Sequence, residues 1–154
     1  MTDWPLAELL PHAGDMILID DILDVDDEQI RTRLTVRPDG LFNLPDGSLP
    51  AYLGIELMAQ SVAAFAGCHA RRKGDPVALG FLLGTRKFEC NVEAFPAGSE
   101  LVIHGIRSLE DDNGMGVFEC HINAPGIHAS ARLNVFRPPQ AAQYLQQTRE
   151  SNDD

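Results

Sequence analysis

LPAYLGIELMAQSVAAFAG, residues 49–67, predicts one long helix with apolar residues on almost every side. Pro50 suits the first turn, because proline has a fixed φ and because an N–H at that position has no helical acceptor. The basic residues that follow this segment, and Gly74 after them, favour a helix end near residue 72. A helix of this kind is stable in water only when other elements cover it. We therefore expect residues 51–72 to form a central helix wrapped by the rest of the chain.

Two polar residues, Glu56 and Gln60, interrupt this apolar helix. They are four residues apart and so share one face of the helix. Burial of a carboxylate costs free energy unless the group is paired or serves a purpose. Two interpretations of Glu56 follow from the residues alone: a functional carboxylate, or a packing residue that is hydrogen-bonded to Gln60 and to a backbone amide.

Length and charge limit the possible classes of protein. A chain of 154 residues is typical of a single domain. With 23 acidic and 12 basic residues the net charge is −11, which argues against nucleic-acid binding. An acidic partner could therefore bind only at a local basic cluster. The candidates are Arg71, Arg72, Arg86 and Lys87, although such clusters are also common as solvated helix ends and strand edges.

The sequence also indicates the compartment. The N-terminus shows no secretory signal, and the apolar helix is too short for a bilayer, so we expect a cytoplasmic protein without membrane insertion. Cys68, Cys90 and Cys120 are widely spaced and match no metal-ligand pattern. We expect free thiols and no metal site.

Strand patterns surround the predicted helix. Residues 28–37 alternate, with Ile30, Thr32, Leu34 and Val36 on one face. The remaining predicted elements are a short helix over residues 4–10, a strand within 10–26, an irregular loop over 38–49 and strands within 77–90, 99–109, 115–123 and 127–136. One long helix among so many strands can be buried only if the sheet curls around it. We therefore expect an α+β hot-dog fold over residues 1–138, with 139–154 as a partly helical or frayed tail.

Several short motifs resemble the β-hydroxyacyl-ACP dehydratases of fatty acid synthesis, and most closely the ApeP-like group of aryl-polyene and xanthomonadin clusters. The matching segments are LPH at 10–12, MILID at 16–20, LP at 49–50, GIELMAQ at 54–60 and ALGFLLGTRKF at 78–88. The resemblance implies a dimer with active sites at the subunit interface. Each site would accept a thioester on the phosphopantetheine arm of acyl carrier protein, with no other cofactor.

The resemblance also implies roles for individual residues. Glu56 corresponds to the carboxylate that protonates the departing β-hydroxyl group, and Gln60 to its partner. Backbone N–H groups near the helix start, or at Gly84, would polarise the thioester carbonyl. The expected substrate-binding residues are Gln60, Phe42, Asn43, Ala51, Tyr52, Gly54 and Gly84. The carrier protein is expected to dock on Arg71, Arg72, Arg86 and Lys87.

One family feature is missing from this sequence. The enzymes it resembles carry a catalytic histidine eight residues before the proline that opens the helix. Here that position is Phe42, followed by Asn43, and residues 38–55 contain no histidine. His12 is the candidate for a replacement base. His69, His104, His121 and His128 are expected to be ordinary structural or surface residues.

These observations leave three functions open. The first is a 3-hydroxyacyl-ACP dehydratase, or a subunit of one, in aryl-polyene or fatty acid synthesis. The second is an acyl thioesterase, in which a helix carboxylate activates water. The third is a non-catalytic protein that binds acyl carrier protein and pairs with a histidine-bearing homologue. We expect either a homodimer or a heterodimer with a related hot-dog subunit.

Overall fold

The computed structural model describes residues 6–10, 16–74, 81–111 and 113–136. Two helices lie in this part of the chain: α1 (Leu6–Leu9) and α2 (Leu53–Arg72). The strands are β1 (Asp21–Val25), β2 (Gln29–Thr35), β3 (Leu49–Pro50), β4 (Phe81–Cys90), β5 (Ala94–Phe95), β6 (Glu100–Glu110), β7 (Met115–Ala124) and β8 (Ile127–Phe136).

Six of the strands form one antiparallel sheet in the order β1-β2-β6-β7-β8-β4. The helix α2 lies against one face of this sheet, as two contacts show. The Thr32 hydroxyl of β2 bonds to Ser61 of α2, and Phe65 of α2 meets the ring of Phe118 on β7 edge-on at 5.5 Å. The predicted α+β hot-dog architecture is confirmed.

Alternating burial along the strands explains why this face covers the helix. Ile30, Thr32 and Leu34 of β2 are buried, whereas the residues between them are partly or fully exposed. Strands β6, β7 and β8 repeat the pattern, with Leu101 and Ile103, Phe118 and Ile122, and Ala129 and Leu133 buried. The inward side chains of the sheet and the apolar side chains of α2 form one core. The strand predicted within residues 28–37 is confirmed.

The helix α2 begins two residues later than predicted and ends where expected. The Ala51 N–H donates to the Glu93 carbonyl at 3.0 Å, which holds residue 51 beside the short β3–β5 sheet and outside the helix. Tyr52 precedes the first helical residue and makes no side-chain capping bond. After Arg72, Gly74 has a φ of +75°, a conformation that glycine adopts at little cost.

Some local predictions need correction. Among the described residues, the strand expected within residues 10–26 is limited to β1, because Met16 and Leu18 bond to the Gln60 side chain. The small sheet of β3 and β5, which pairs Leu49 with Phe95, gave no sequence signal. The β4–β8 register shifts between Leu82 and Gly84, so the edge strand is irregular there. Residues 139–154 lie outside the described residues, so the predicted tail and domain boundary stay predictions.

Candidate active site

Glu56 and Gln60 form the polar centre of α2, and the two side chains are joined directly. The Gln60 Nε2 group donates to Glu56 Oε1 at 3.1 Å. Gln60 has no solvent exposure, whereas Glu56, one turn closer to the helix start, is half-buried. The carboxyl group therefore lies at the boundary between the core and the surface, where it is partly shielded from water.

Gln60 is also bonded to the chain segment that leads into β1. Its Nε2 donates to the Met16 carbonyl at 2.6 Å, and its Oε1 accepts the Leu18 N–H at 2.8 Å. These partners are 44 and 42 residues away in sequence, so no local pattern could have indicated them. The backbone of residues 16–18 is therefore a part of the site that sequence analysis missed.

The start of α2 presents backbone N–H groups one turn before Glu56. The Gly54 N–H donates to the Ala51 carbonyl at 2.8 Å, and the Ile55 N–H donates to the Tyr52 carbonyl at 3.3 Å. Helices leave their first N–H groups without internal partners. Among the described residues, no bond within the chain accounts for the amides of Tyr52 and Leu53. Both belong to the amides near the helix start that the sequence predicts to polarise the substrate carbonyl.

The loop before the helix holds the two residues that stand where the family's histidine is expected. Asn43 fixes the loop, since its Nδ2 donates to the carbonyls of Arg37 at 2.6 Å and Gly47 at 2.7 Å. Phe42 is half-buried and packs against the core. Both side chains serve the loop structure, and neither carries a titrating group.

A groove of about 540 Å³ lies between this loop, the end of β2 and the segment before β1. Asn43 and Leu18 both line it, and the Leu18 N–H bonds to Gln60. Leu18 thus lies between the groove and the Glu56–Gln60 pair. Its lining combines apolar and polar side chains: Ile17, Leu18, Asp20, Leu34, Thr35, Val36, Arg37, Asp39, Gly40, Leu41, Asn43 and Leu49.

The histidines that the structure describes lie away from Glu56. His69 is 13 residues further along α2, roughly 20 Å away at about 1.5 Å per residue. There its ring lies 4.3 Å from that of Phe65, tilted by 54°, and its Nε2 is 3.1 Å from the Asp26 carbonyl oxygen. His12 lies outside the described residues, so its proposed role as a base stays a prediction.

The other three histidines lie on the face of the sheet that α2 does not cover. His104 and His121 are cross-strand neighbours, and the rings of His121 and His128 are 5.6 Å apart. Partial burial, followed by the charge of Arg31, lowers the pKa of His104 and favours its neutral form. Within residues 6–10, 16–74, 81–111 and 113–136, no group of three or more possible ligands could hold a metal ion.

The four residues predicted to bind the carrier protein lie on two different elements. Arg71 and Arg72 are exposed at the end of α2, where Arg71 forms an ion pair with Glu8 at 2.6 Å. Arg86 and Lys87 are exposed on β4, an edge strand of the sheet.

Gly84, the last predicted substrate-binding residue, also lies on β4. A side chain added there would meet no other atom within 4 Å. The side-chain position at Gly84 is therefore open.

A protein-family comparison identifies the chain. The model of the ApeP-like family, described as ApeP dehydratase, matches residues 4–146. The chain belongs to the ApeP dehydratase family. It is therefore a dehydratase of the hot-dog fold, and the predicted family and reaction type are confirmed.

Solved structures agree with this assignment. The chain is 33% identical to one in the dehydratase heterocomplex ApeI:P from Xenorhabdus doucetiae, with 96% of this chain and 99% of that chain covered and a TM-score of 0.84. The PaaI protein of the E. coli phenylacetic acid degradation operon has 15% identity, coverages of 76% and 82%, and a TM-score of 0.58.

A hypothetical thioesterase from Streptococcus pneumoniae, solved with coenzyme A, has 14% identity, coverages of 78% and 86%, and a TM-score of 0.61. These two more distant likenesses support the fold alone. No match was found among curated proteins. In the part of the chain that the structure describes, no helix is long and apolar enough to cross a membrane.

Proposed function

We propose that this ApeP-family dehydratase removes water from a 3-hydroxyacyl thioester carried on the phosphopantetheine arm of acyl carrier protein, in aryl-polyene or fatty acid synthesis. Glu56 acts as the general acid. The observation that carries the proposal is the half-buried carboxyl group of Glu56, held by Gln60 beside the start of α2. The family assignment supports the same reaction.

The elimination needs an acid at the β-hydroxyl group and a base at Cα. The Cβ–O bond breaks, and its electron pair passes to the hydroxyl oxygen, which takes the Glu56 proton and leaves as water. The base removes a proton from Cα, and the C–H electron pair forms the Cα=Cβ double bond. Glu56 ends as a carboxylate and the base as its protonated form.

The thioester carbonyl gains negative charge as the Cα proton leaves. Backbone N–H groups aimed at that oxygen would stabilise the charge. The amides of Tyr52 and Leu53 are suited to this task because they lie at the N-terminus of α2, where the helix dipole also favours an anion. Glu56 follows on the same first turn, so the carbonyl and the β-hydroxyl of one substrate would be held by neighbouring groups.

The base comes from a second, related hot-dog subunit that carries the missing histidine. The loop of residues 38–49 offers Phe42 and Asn43 at the expected position, and the four described histidines lie far from Glu56 or across the sheet from it. The heterocomplex found for ApeI:P supports this arrangement. The edge strand β4, paired on one side only by β8, is a suitable place for another subunit.

An acidic carrier protein would be repelled by the net charge of −11, so its approach requires exposed cations. Arg72, Arg86 and Lys87 are exposed and serve as the docking residues, with Arg71 contributing less because Glu8 already neutralises it. Reversal of Arg86 and Lys87 to Glu should slow turnover of the carrier-bound substrate and spare a short thioester. Equal losses on the two substrates would argue against this docking site.

We propose that the protein acts in the cytoplasm. The three cysteines of the chain all lie in its described part, and none of them forms a disulfide. Reduced thiols of this kind are typical of a reducing compartment.

The main experiment compares the chain alone and together with a histidine-bearing hot-dog subunit from the same organism, using 3-hydroxyacyl-ACP as substrate. We expect enoyl thioester only from the mixture, and a loss of roughly 10²–10⁴-fold on Glu56→Gln. Free acid as the product would identify a thioesterase instead. Full activity of Glu56→Gln would show that Glu56 is a packing residue.

A further inference from the structure

We infer that the exposed cations of β4 bind the phosphate group of the phosphopantetheine arm. The site consists of Arg86 and Lys87 on β4 together with Arg132, which lies opposite Arg86 on β8. This inference rests on the proposed function, which supplies the arm. It assigns to Arg86 and Lys87 one chemical group of the carrier-bound substrate instead of the carrier surface as a whole.

A β-bulge holds Lys87 in an unusual backbone conformation. The β4–β8 register shifts between Arg86 and Glu89, so the two residues in between face a single residue of β8. Lys87 has a φ of +56°, and among the described residues it is the only one other than glycine with a positive φ. This conformation is unfavourable for a residue with a Cβ, and such strain persists mainly at functional sites.

Positive charge is left uncompensated at this bulge. Arg86 lies directly opposite Arg132, and like charges in that arrangement destabilise a strand pair. Arg132 bonds to Glu119 at 2.8 Å. Arg86 and Lys87 are exposed and form no salt bridge with any residue that the structure describes. A bound anion would offset both the repulsion and the strain.

The bulge lies beside the start of α2. A Cβ added to Gly54 would be 3.5 Å from the ring of Phe88, the residue that follows Lys87. Gly54 belongs to the first turn of α2, where the proposed function places the thioester carbonyl. The cations of β4 therefore begin one or two residues away from a side chain that contacts the site.

The length of the arm distinguishes these cations from those at the end of α2. An extended phosphopantetheine arm spans roughly 15 Å from sulfur to phosphorus, by the bond lengths of an amide chain. Arg72 lies 18 residues after Gly54, which is roughly 27 Å along the helix at about 1.5 Å per residue. An arm whose thioester is at the helix start thus ends near β4, and Arg72 can meet only the body of the carrier protein.

The residue types and the size of the cluster fit a phosphate. A guanidinium group can donate two parallel hydrogen bonds to phosphate oxygens, and an ammonium group adds a point charge. Protein surfaces that bind each other extend over about 800 Å² on each partner. Three cations at adjacent positions match one oxyanion far better than a surface of that size.

The test measures binding, so it does not depend on turnover. The full chain, in complex with the histidine-bearing subunit, is titrated with two unreactive thioether analogues of the substrate, one built on pantetheine and one on phosphopantetheine. We expect the phosphate to tighten binding roughly tenfold, as charge-assisted hydrogen bonds do, and less at high salt. Arg86→Gln and Lys87→Gln should each lower this ratio about threefold, and the double variant should bind the two analogues equally.

Two further variants serve as controls. Arg31→Gln makes the same change of charge at an exposed arginine of β2, four strands from β4 and roughly 19 Å away at about 4.8 Å per strand. It should leave the ratio unchanged. Lys87→Gly removes the charge and the strain together, so it should lower the ratio while its urea midpoint stays equal to that of the wild type or rises.

The outcomes separate this inference from the proposed function. Equal binding of both analogues by the wild type would overturn the inference, and so would a ratio that survives the double substitution or falls equally in Arg31→Gln. Weaker binding of acyl carrier protein in the double variant with an unchanged ratio would show that the cations contact the carrier surface, which also overturns it. Full activity of Glu56→Gln would refute the proposed acid and would leave the measured ratio as it is.

Discussion

The buried hydroxyl pair of Thr32 and Ser61 allows a prediction in which two single substitutions differ although they break the same bond. The two oxygens are 2.7 Å apart, and both residues have no solvent exposure. Ser61 gives its only proton to the Leu57 carbonyl at 2.8 Å. Thr32 must therefore be the donor in the pair.

This assignment predicts which of the two single substitutions lowers the unfolding free energy more. Ser61→Ala leaves the Thr32 hydroxyl buried without an acceptor, which costs about 1–3 kcal/mol of unfolding free energy. Thr32→Val keeps the shape and leaves the Ser61 proton bonded, so it should cost only about 0.5–1.5 kcal/mol. The double variant removes both polar groups, and it should be more stable than Ser61→Ala and close to Thr32→Val.

Urea unfolding at one protein concentration and one pH measures these differences. With a slope of about 1–3 kcal/mol per molar urea, a loss of 2 kcal/mol moves the midpoint by roughly 1 M. The slopes of the four proteins must agree, so that midpoints report stability. Losses that add in the double variant to within about 0.5 kcal/mol would refute the reasoning, because independent sites behave in that way.

Two further predictions concern the helix contact and an acidic turn. Gly67→Ala should destabilise the protein by about 1–3 kcal/mol, because the added Cβ would overlap the Leu9 carbonyl, and it should make α1 easier to cleave in limited proteolysis. Gly105→Ala is the control and should be tolerated, because the nearest atoms to its added Cβ are 3.6 Å away. Bonds from the Gln29 side chain and the Glu28 N–H lower the pKa of Asp26. The Asp26 carboxylate therefore stabilises the folded protein at neutral pH, and this contribution is lost as pH falls below about 4. The stability difference between the wild type and Asp26→Asn should therefore shrink on acidification; a gap that stays constant would contradict this.

The sequence predicted those parts of the fold that depend on periodicity. The apolar run before residue 67 indicated α2, and the alternation from Ile30 to Val36 indicated which face of β2 is buried. Both signals are local, since each records how one element meets the core. The sheet β3–β5 could not be predicted, because two-residue strands are too short to show a period.

The candidate site was predictable only in part, for the same physical reason. The spacing of Glu56 and Gln60 is a helical repeat, so their contact followed from the sequence. The bonds from Gln60 to Met16 and Leu18 join segments more than 40 residues apart and depend on the finished fold. The predicted docking residues were grouped by charge alone, and the fold distributes them over α2 and β4.

The depth of Gln60 in the core explains how an apolar helix can carry a carboxyl group at its surface boundary. A lone half-buried carboxylate would disfavour packing around it. Gln60, one turn deeper, meets its own polar requirements with the Met16 and Leu18 backbone and has one N–H left for Glu56. The cost of the polar pair is thus offset by bonds that also hold residues 16–18 against α2. Substitutions that loosen this segment should therefore weaken both the fold and the acid, even though none of them touches Glu56.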